Sequence, residues 1–345
     1  MTRWTTRGLV LLLVLVLLSA TSCVTNPEPA REDSIIPDVL PAMVFPSDNP
    51  YSDAKAELGR HLFYDQRLSA DGSTSCASCH VQDRAFSDAP HQISVGVRGE
   101  QGQRNSPTLV NVGYRRALFW DGRVSTLEDQ ALAVLRSPIE MDVDTTAVLN
   151  LLRADYRDRW VQAFGDTIPS IQRVAQAIAT FERTIVSTGS RYDRFRRGET
   201  WLLSEQEREG MTLYFSSRTM CSSCHGGPDL TDDAFHNIGL FHHYFDRGRY
   251  DVTRNPYDEG KFKTPTLRNI ALTAPYMASG DSEKGVLNTL EAVVKHYVDG
   301  GTTFHSKDAR VKALHLSAHE QQALVAFLHT LTDSTVLSNP RFSKP

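Results

Sequence analysis

Apolar residues along this chain recur at helical spacing, most clearly in three stretches. Between 170 and 187, SIQRVAQAIATFERTIVS puts Ile171, Val174, Ala175, Ile178, Phe181 and Ile185 close to the period of an α-helix. SAHEQQALVAFLHTLT at 317–332 repeats the pattern behind Ser317, a candidate N-cap. A third helix begins near Thr289 in NTLEAVVKHYVDGG. There Leu290, Val293, Val294 and Tyr297 share one face, His296 lies with Lys295 toward the other side, and Gly300 or Gly301 ends the run. No alternating strand pattern accompanies them. Gly-rich GVRGEQGQR at 96–104 and the polar stretch 246–261 read as long loops, so the expected fold class is mainly α.

The first residues follow another rule. Arg3 and Arg7 precede an unbroken apolar run from Leu9 to Leu18, then small residues, which is the layout of an export signal. That run is too short to cross a bilayer, which takes roughly 20 apolar residues. Ala20-Thr21-Ser22-Cys23 resembles a bacterial lipobox. Cleavage before Cys23 would remove residues 1–22 as a lipoprotein signal and leave 23–50 as a polar, Pro-containing tether. A plain signal peptide with an incidental cysteine is the alternative. Either reading sends the chain to the periplasm, with membrane contact only through a lipid on Cys23. The 345 residues, 40% hydrophobic and 23% charged, suffice for one large or two medium domains. Without Arg3 and Arg7, 35 of the 37 basic residues remain against 41 acidic ones, so no basic excess recruits nucleic acid.

Four of the five cysteines form two copies of one pattern, CASCH at 76–80 and CSSCH at 221–225. In an exported chain, Cys-x-x-Cys-His is the spacing of covalent c-type haem attachment: Cys76 and Cys79, or Cys221 and Cys224, bond the vinyl groups, and His80 or His225 ligates iron. A zinc site built from both pairs, or two short disulfides, would not need a His after each pair.

The repeat extends beyond the cysteines. SPTLVN at 106–111 matches TPTLRN at 264–269, FWDG at 119–122 matches YMASG at 276–280, and STLEDQALAV at 125–134 matches NTLEAVVKHY at 288–297. Before each haem motif stand LGRHLFYD at 58–65 and EGMTLYFS at 209–216. Two tandem cytochrome c-like haem domains follow, 51–200 and 201–345, related by internal repeat. In this alignment Tyr297 falls opposite Val134, which cannot bind iron. A core role is the ordinary reading for an inward Tyr, but the haem bound at His225 needs its second face explained.

From about 55 to 335 the chain resembles the bacterial di-haem cytochrome c peroxidase family, including its MauG branch. The likeness is carried by the two CxxCH sites, RNSPTLVN, FWDGR, LEDQA with IEM after it, and TLRNIALTAPY. The resemblance implies an N-terminal haem, ligated by His80, that reacts with hydrogen peroxide in a pocket holding Gln130 and Glu140. It implies a tryptophan between the haems, Trp120, and one calcium ion bound by Asn105 and the carbonyls of Thr273 and Pro275. The second ligand of the C-terminal haem is Met in ordinary peroxidases and Tyr in MauG-like proteins, and Tyr297 falls on that position. Without the resemblance, Glu140 would read as a capping or ion-pairing group and Trp120 as a core aromatic.

Departures from the family are Val134 in place of a pocket Pro, Ala278 in place of a His, and about five residues inserted around 282–286. His91 lies too far before Asn105 to match the His that many peroxidases displace on reduction. The implied activity is MauG-like oxidation of a protein or other large reductant. An ordinary peroxidase drawing electrons from a cytochrome c or a cupredoxin, and a non-enzymatic di-haem electron carrier, are the alternatives. Family members often form homodimers.

Overall fold

The computed structural model describes residues 1–2, 40–277 and 287–345. The signal segment after Thr2, Cys23, most of the tether, Ala278 and the insertion at 282–286 lie outside the described residues. Eleven helices are described: α1 (Asp53–Tyr64), α2 (Cys76–Cys79), α3 (Leu127–Arg136), α4 (Thr145–Asp155), α5 (Arg157–Phe164), α6 (Ile171–Thr184), α7 (Arg191–Arg196), α8 (Glu205–Phe215), α9 (Tyr250–Thr253), α10 (Leu290–Asp299) and α11 (Ala318–His329). The mainly helical expectation stands.

Two crossed helix pairs organise the chain, α1 on α6 and α8 on α11. Their starts follow from capping chemistry. Ser52 and Ser170 accept the backbone N–H of Lys55 and Arg173, while Ser204 with Glu207 and Ser317 with Glu320 close reciprocal capping boxes. A glycine sits at each crossing. A Cβ on Gly59 would stand 1.9 Å from the Ala177 carbonyl oxygen, and one on Gly210 would stand 1.8 Å from that of Ala323. Only glycine lets the backbones approach so closely, at the same point of both repeats.

Gly210→Ala is therefore expected to destabilise the protein. The atom that must move is a backbone oxygen, which places the cost near the upper end of the about 1–3 kcal/mol typical of overpacking. Alanine's helix propensity offsets only about 1 kcal/mol of that. Scanning calorimetry should show a lower midpoint; a raised one would mean that the crossing yields freely.

The packed pairs generate two apolar clusters. Leu58, Leu62, Phe63, Phe86, Trp160, Ile178 and Phe181 belong to the first, and Tyr192, Leu213, Tyr214, Leu290, Val294, Leu324 and Phe327 to the second. Chain order is broken at the tail: Val336 and Phe342 follow the second cluster in sequence yet lie in the first. Gln82 holds that returning tail by donating to the carbonyls of Val336 (3.1 Å) and Asn339 (3.0 Å), and the Tyr64 hydroxyl donates to that of Phe342 (2.7 Å). The end of the expected tether is also fixed in place, because buried Asn49 donates to Glu128 Oε1 at 2.6 Å and to the Gln176 carbonyl at 2.9 Å.

A buried polar seam joins the two clusters. Asn111 and Asn269, equivalent in the repeat, both take left-handed backbone conformation with φ of 58° and 57°, a region Asn tolerates better than most residues. Asn111 donates to Asp229 (2.6 Å) and accepts from the Ser187 N–H (2.8 Å), while Asn269 accepts from the Asp333 N–H (2.7 Å). Arg268 forks onto Asp193 at 2.8 and 3.0 Å.

The loop expectation is refined between 246 and 261, where α9 and a single 3-10 turn at Pro256–Asp258 appear. Strands β1 (Phe235–His236) and β2 (Phe262–Lys263) pair antiparallel. At two residues each they are too short to show alternation. The Lys263 N–H also donates to the Trp120 carbonyl at 2.8 Å, so the FWDG loop is stitched onto the hairpin.

Candidate active site

Each haem motif opens onto its own cavity. The first is lined by Cys76, Cys79, His80, Trp120, Gln130, Val134 and Glu140, and the second by Cys221, Cys224, His225, Tyr214, Trp120 and Tyr297. All four cysteines are free thiols. The two pairs line different cavities, so they do not converge on one metal, and neither pair is closed as a disulfide. Burial pushes all four thiols up, Cys79 to about 12.

Both histidines are oriented in the same way. His80 Nδ1 lies 3.0 Å from the Phe86 carbonyl oxygen and His225 Nδ1 lies 3.2 Å from that of Pro265. Burial lowers both pKa values, His225 to about 4, so the imidazoles are neutral at pH 7. A neutral ring that donates Nδ1–H to a carbonyl keeps its lone pair on Nε2, the atom an iron would take. A backbone carbonyl on Nδ1 of the motif histidine in each repeat fits a haem in each cavity, although the carbonyls come from different places, since Pro265 aligns with Pro107 and not with Phe86.

Tyr297 and His296 part company on α10, which Thr289 caps and Gly300 ends at φ 81°. His296 turns away and places Nε2 3.1 Å from the Ile238 carbonyl oxygen. The Tyr297 side chain lines the second cavity, and burial raises its phenol well above the ordinary value. On α3, capped in the same way by Thr126, Val134 lines the first cavity at the equivalent position. One cavity thus carries a potential ligand where the other carries an aliphatic side chain.

Glu140 and Gln130 share the first cavity. Burial raises the Glu140 pKa, against smaller lowering effects from Ser137 and Arg123. Its backbone is held by the glycine-rich loop: the Val97 N–H donates to the Glu140 carbonyl at 3.0 Å, and a Cβ on Gly96 would stand 2.0 Å from the Ile139 carbonyl oxygen. His91, by contrast, is exposed, with Nδ1 3.0 Å from Asp88.

Trp120 and Asn105 line both cavities. The indole Nε1–H donates to the Asn105 carbonyl at 3.0 Å. Asn105 Oδ1 is buried without a hydrogen-bond partner among the described residues, and Thr273 and Pro275 line the same second cavity. An unpartnered amide oxygen in a cavity that Thr273 and Pro275 also line is the kind of oxygen ligand a hard cation takes.

Sequence periodicity passes over one further cavity residue, Glu182, which lines the first cavity and is 4% exposed. It lies four residues after Ile178 and seven after Ala175, on the stripe that the apolar pattern turns inward. A carboxylate on a core stripe is the signal that marks it.

Two such cavities, each with its Cys-x-x-Cys-His motif and sharing one indole, fit a di-haem oxidoreductase. Residues 53–201 match the family model for di-haem cytochrome c peroxidase. The chain is 36% identical to the cytochrome-c peroxidase IdrP1 of Pseudomonas sp. (strain SCT), over 86% of each protein. It is 35% identical to the methylamine utilization protein MauG of Methylophilus methylotrophus, over 94% of this chain and 95% of that one. The crystal structure of a MauG-like protein associated with microbial copper homeostasis superposes with a TM-score of 0.82 at 38% identity, covering 89% of this chain and 98% of that one. This chain belongs to the di-haem cytochrome c peroxidase and MauG family: it is a peroxidase-type oxidoreductase whose cofactors are two haems. No helix among the described residues is long and apolar enough to cross a membrane.

Proposed function

We propose that this protein is a periplasmic enzyme that reacts with hydrogen peroxide at its first haem and passes the oxidising equivalents through Trp120 to a His/Tyr-ligated second haem, oxidising a protein or other large reductant in the MauG manner. The observation that carries this reading is the contrast between Val134 and Tyr297 at equivalent positions of α3 and α10. His80 would hold the first haem as its protein ligand, and His225 with Tyr297 would hold the second.

Cys76 and Cys79 would hold the first haem as thioethers, and Cys221 and Cys224 the second. Each haem supplies an iron that cycles between oxidation states as electrons enter and leave. The residues supply the rest. Glu140, its pKa raised by burial, moves the peroxide proton from one oxygen to the other so that the departing oxygen leaves as water. Gln130 offers an amide to orient the peroxide beside it. Trp120, touching both cavities, is placed for electron transfer between them. Asn105, with the carbonyls of Thr273 and Pro275, would bind one calcium ion next to that indole. A lipid on Cys23 would tether the protein to the membrane, and pairing as a homodimer is compatible with this reading.

The relatives include both a cytochrome-c peroxidase and MauG, so an ordinary peroxidase fed by a cytochrome c or a cupredoxin is the competing reading. One equivalent of peroxide added to the oxidised holoprotein separates the two. Slow, stoichiometric modification of a partner protein is expected; rapid multiple turnover with a reduced cytochrome c or cupredoxin would establish the ordinary peroxidase instead.

A further inference from the structure

Glu182 is a buried acid that the peroxide chemistry above does not use. Its Oε2 is buried without a hydrogen-bond partner among the described residues, in the cavity that Cys76 and His80 line. Its charge bears on the Cys76 sulfur. The neighbouring cation does not serve it, because Arg183 spends its guanidinium on Glu128, at 2.7 Å to Oε1 and 2.9 Å to Oε2.

The elements packed on α6 bring no partner either. From α1, the Lys55 ammonium donates to Asn49 Oδ1 (3.0 Å) and the Pro50 carbonyl (2.7 Å). From α3 come the carboxylate of Glu128, which Arg183 engages, and the amide of Gln130, which lines the same cavity. The turn after SPTLVN brings Tyr114, whose hydroxyl donates to the Pro41 carbonyl at 2.9 Å. The haem motif brings Cys76 and His80, and the cavity is also lined by the acids Glu140 and Asp121 and by Arg104 and Arg123, whose guanidiniums are taken by Asp246 (2.7 Å) and Asp121 (3.0 Å). Burial holds the Glu182 pKa up at about 8; Arg183 pulls it down and Glu128 adds to the rise.

We propose that Glu182 is the proton-holding partner of the first haem, taking up one proton when that haem gains an electron and releasing it when the electron leaves. This rests on the reading that a haem is bonded at Cys76. The step balances: one electron from a one-electron donor enters the haem, and one proton from solvent forms an O–H bond on the carboxylate. Net charge in the cavity is then unchanged. The extra positive charge of the oxidised haem favours the carboxylate, and its loss favours the acid. In a low-dielectric interior, an uncompensated change of charge costs far more than in water. Glu182 is in this sense a positioning residue for a proton, set apart from the peroxide-handling pair.

The test is a redox titration of the full-length holoprotein with dithionite and mediators, after a pyridine haemochrome assay has confirmed two haems per chain. At a fixed potential, around the Glu182 pKa of about 8, the oxidised-to-reduced ratio of the first haem should rise about tenfold per pH unit, the signature of one proton per electron. In Glu182→Gln that ratio should be flat. The reduced-minus-oxidised infrared spectrum of the native protein should also gain a carboxylic-acid C=O band that the variant lacks. The band needs only native protein, so the proposal stays testable if the variant misfolds. A flat native profile, or an unchanged slope in Glu182→Gln, would overturn the proposal. Fewer than two haems per chain would instead overturn the reading of covalent haem attachment, a separate failure visible before any titration.

Discussion

Tyr297→Phe is expected to abolish the six-coordinate low-spin signature of one of the two haems, leaving His225 as its sole protein ligand. Tyr297 is the phenol on the cavity-facing side of α10, and its neighbour His296 is committed to the Ile238 carbonyl, so that histidine is not turned toward the cavity to replace it. Burial keeps the unligated phenol protonated, so binding iron requires the proton to leave. An anionic oxygen ligand favours the oxidised metal, and its loss should therefore raise the potential of that haem. Optical and EPR spectra of the oxidised protein, with a redox titration, read both effects. Peroxide-dependent modification of a partner protein should fall along with them. A variant with unchanged spectra would show that Tyr297 is a core tyrosine.

The second large effect belongs to Glu140. Glu140→Gln preserves size and polarity but cannot carry a proton, so peroxide-dependent turnover should drop about 10²- to 10⁴-fold, the usual share of a positioned acid or base. Haem content and the spectrum of the second haem should stay as they are. In the native enzyme the burial-raised pKa of Glu140 gives the sign of the pH dependence. The carboxylate form that accepts the peroxide proton is lost as pH falls through that pKa, so the rate should decline on the acid side, and Glu140→Gln should lack this limb. Turnover within a few-fold of native would assign the proton transfer elsewhere.

Much of this site could be read from residue order alone because its chemistry is local. The two Cys-x-x-Cys-His motifs fix attachment points within five residues, and the phase of one short helix separates Tyr297 from His296. Thr126 and Thr289 set α3 and α10 in the same register, which is why aligning the repeat brought Val134 opposite Tyr297. What remained hidden depends on contacts between distant segments. No pattern near Gly96 reveals that it packs against the Ile139 carbonyl and steadies Glu140. The stitch from Lys263 to Trp120 spans nearly as many residues as separate the two haem motifs and rests on backbone atoms, which carry no side-chain signature. Glu182 was visible in principle, as the one acid on an apolar stripe. Its meaning required knowing that Arg183 is already engaged by Glu128.

The returning tail has a consequence for the order in which the molecule can be made. The first core takes Val336 and Phe342 from beyond the second core, and the turn that carries His80 is braced on the Val336 and Asn339 carbonyls through Gln82. Synthesis passes Cys76 early and Phe342 late. The half that carries the first cavity is therefore the last to be completed, although its cysteines emerge first. A chain interrupted after α11 would retain every side chain that lines the second cavity and lose the brace of the first. Chains lacking residues 330–345 would then be biased toward a second cavity without a finished first one, which ties the first cavity to that returning segment.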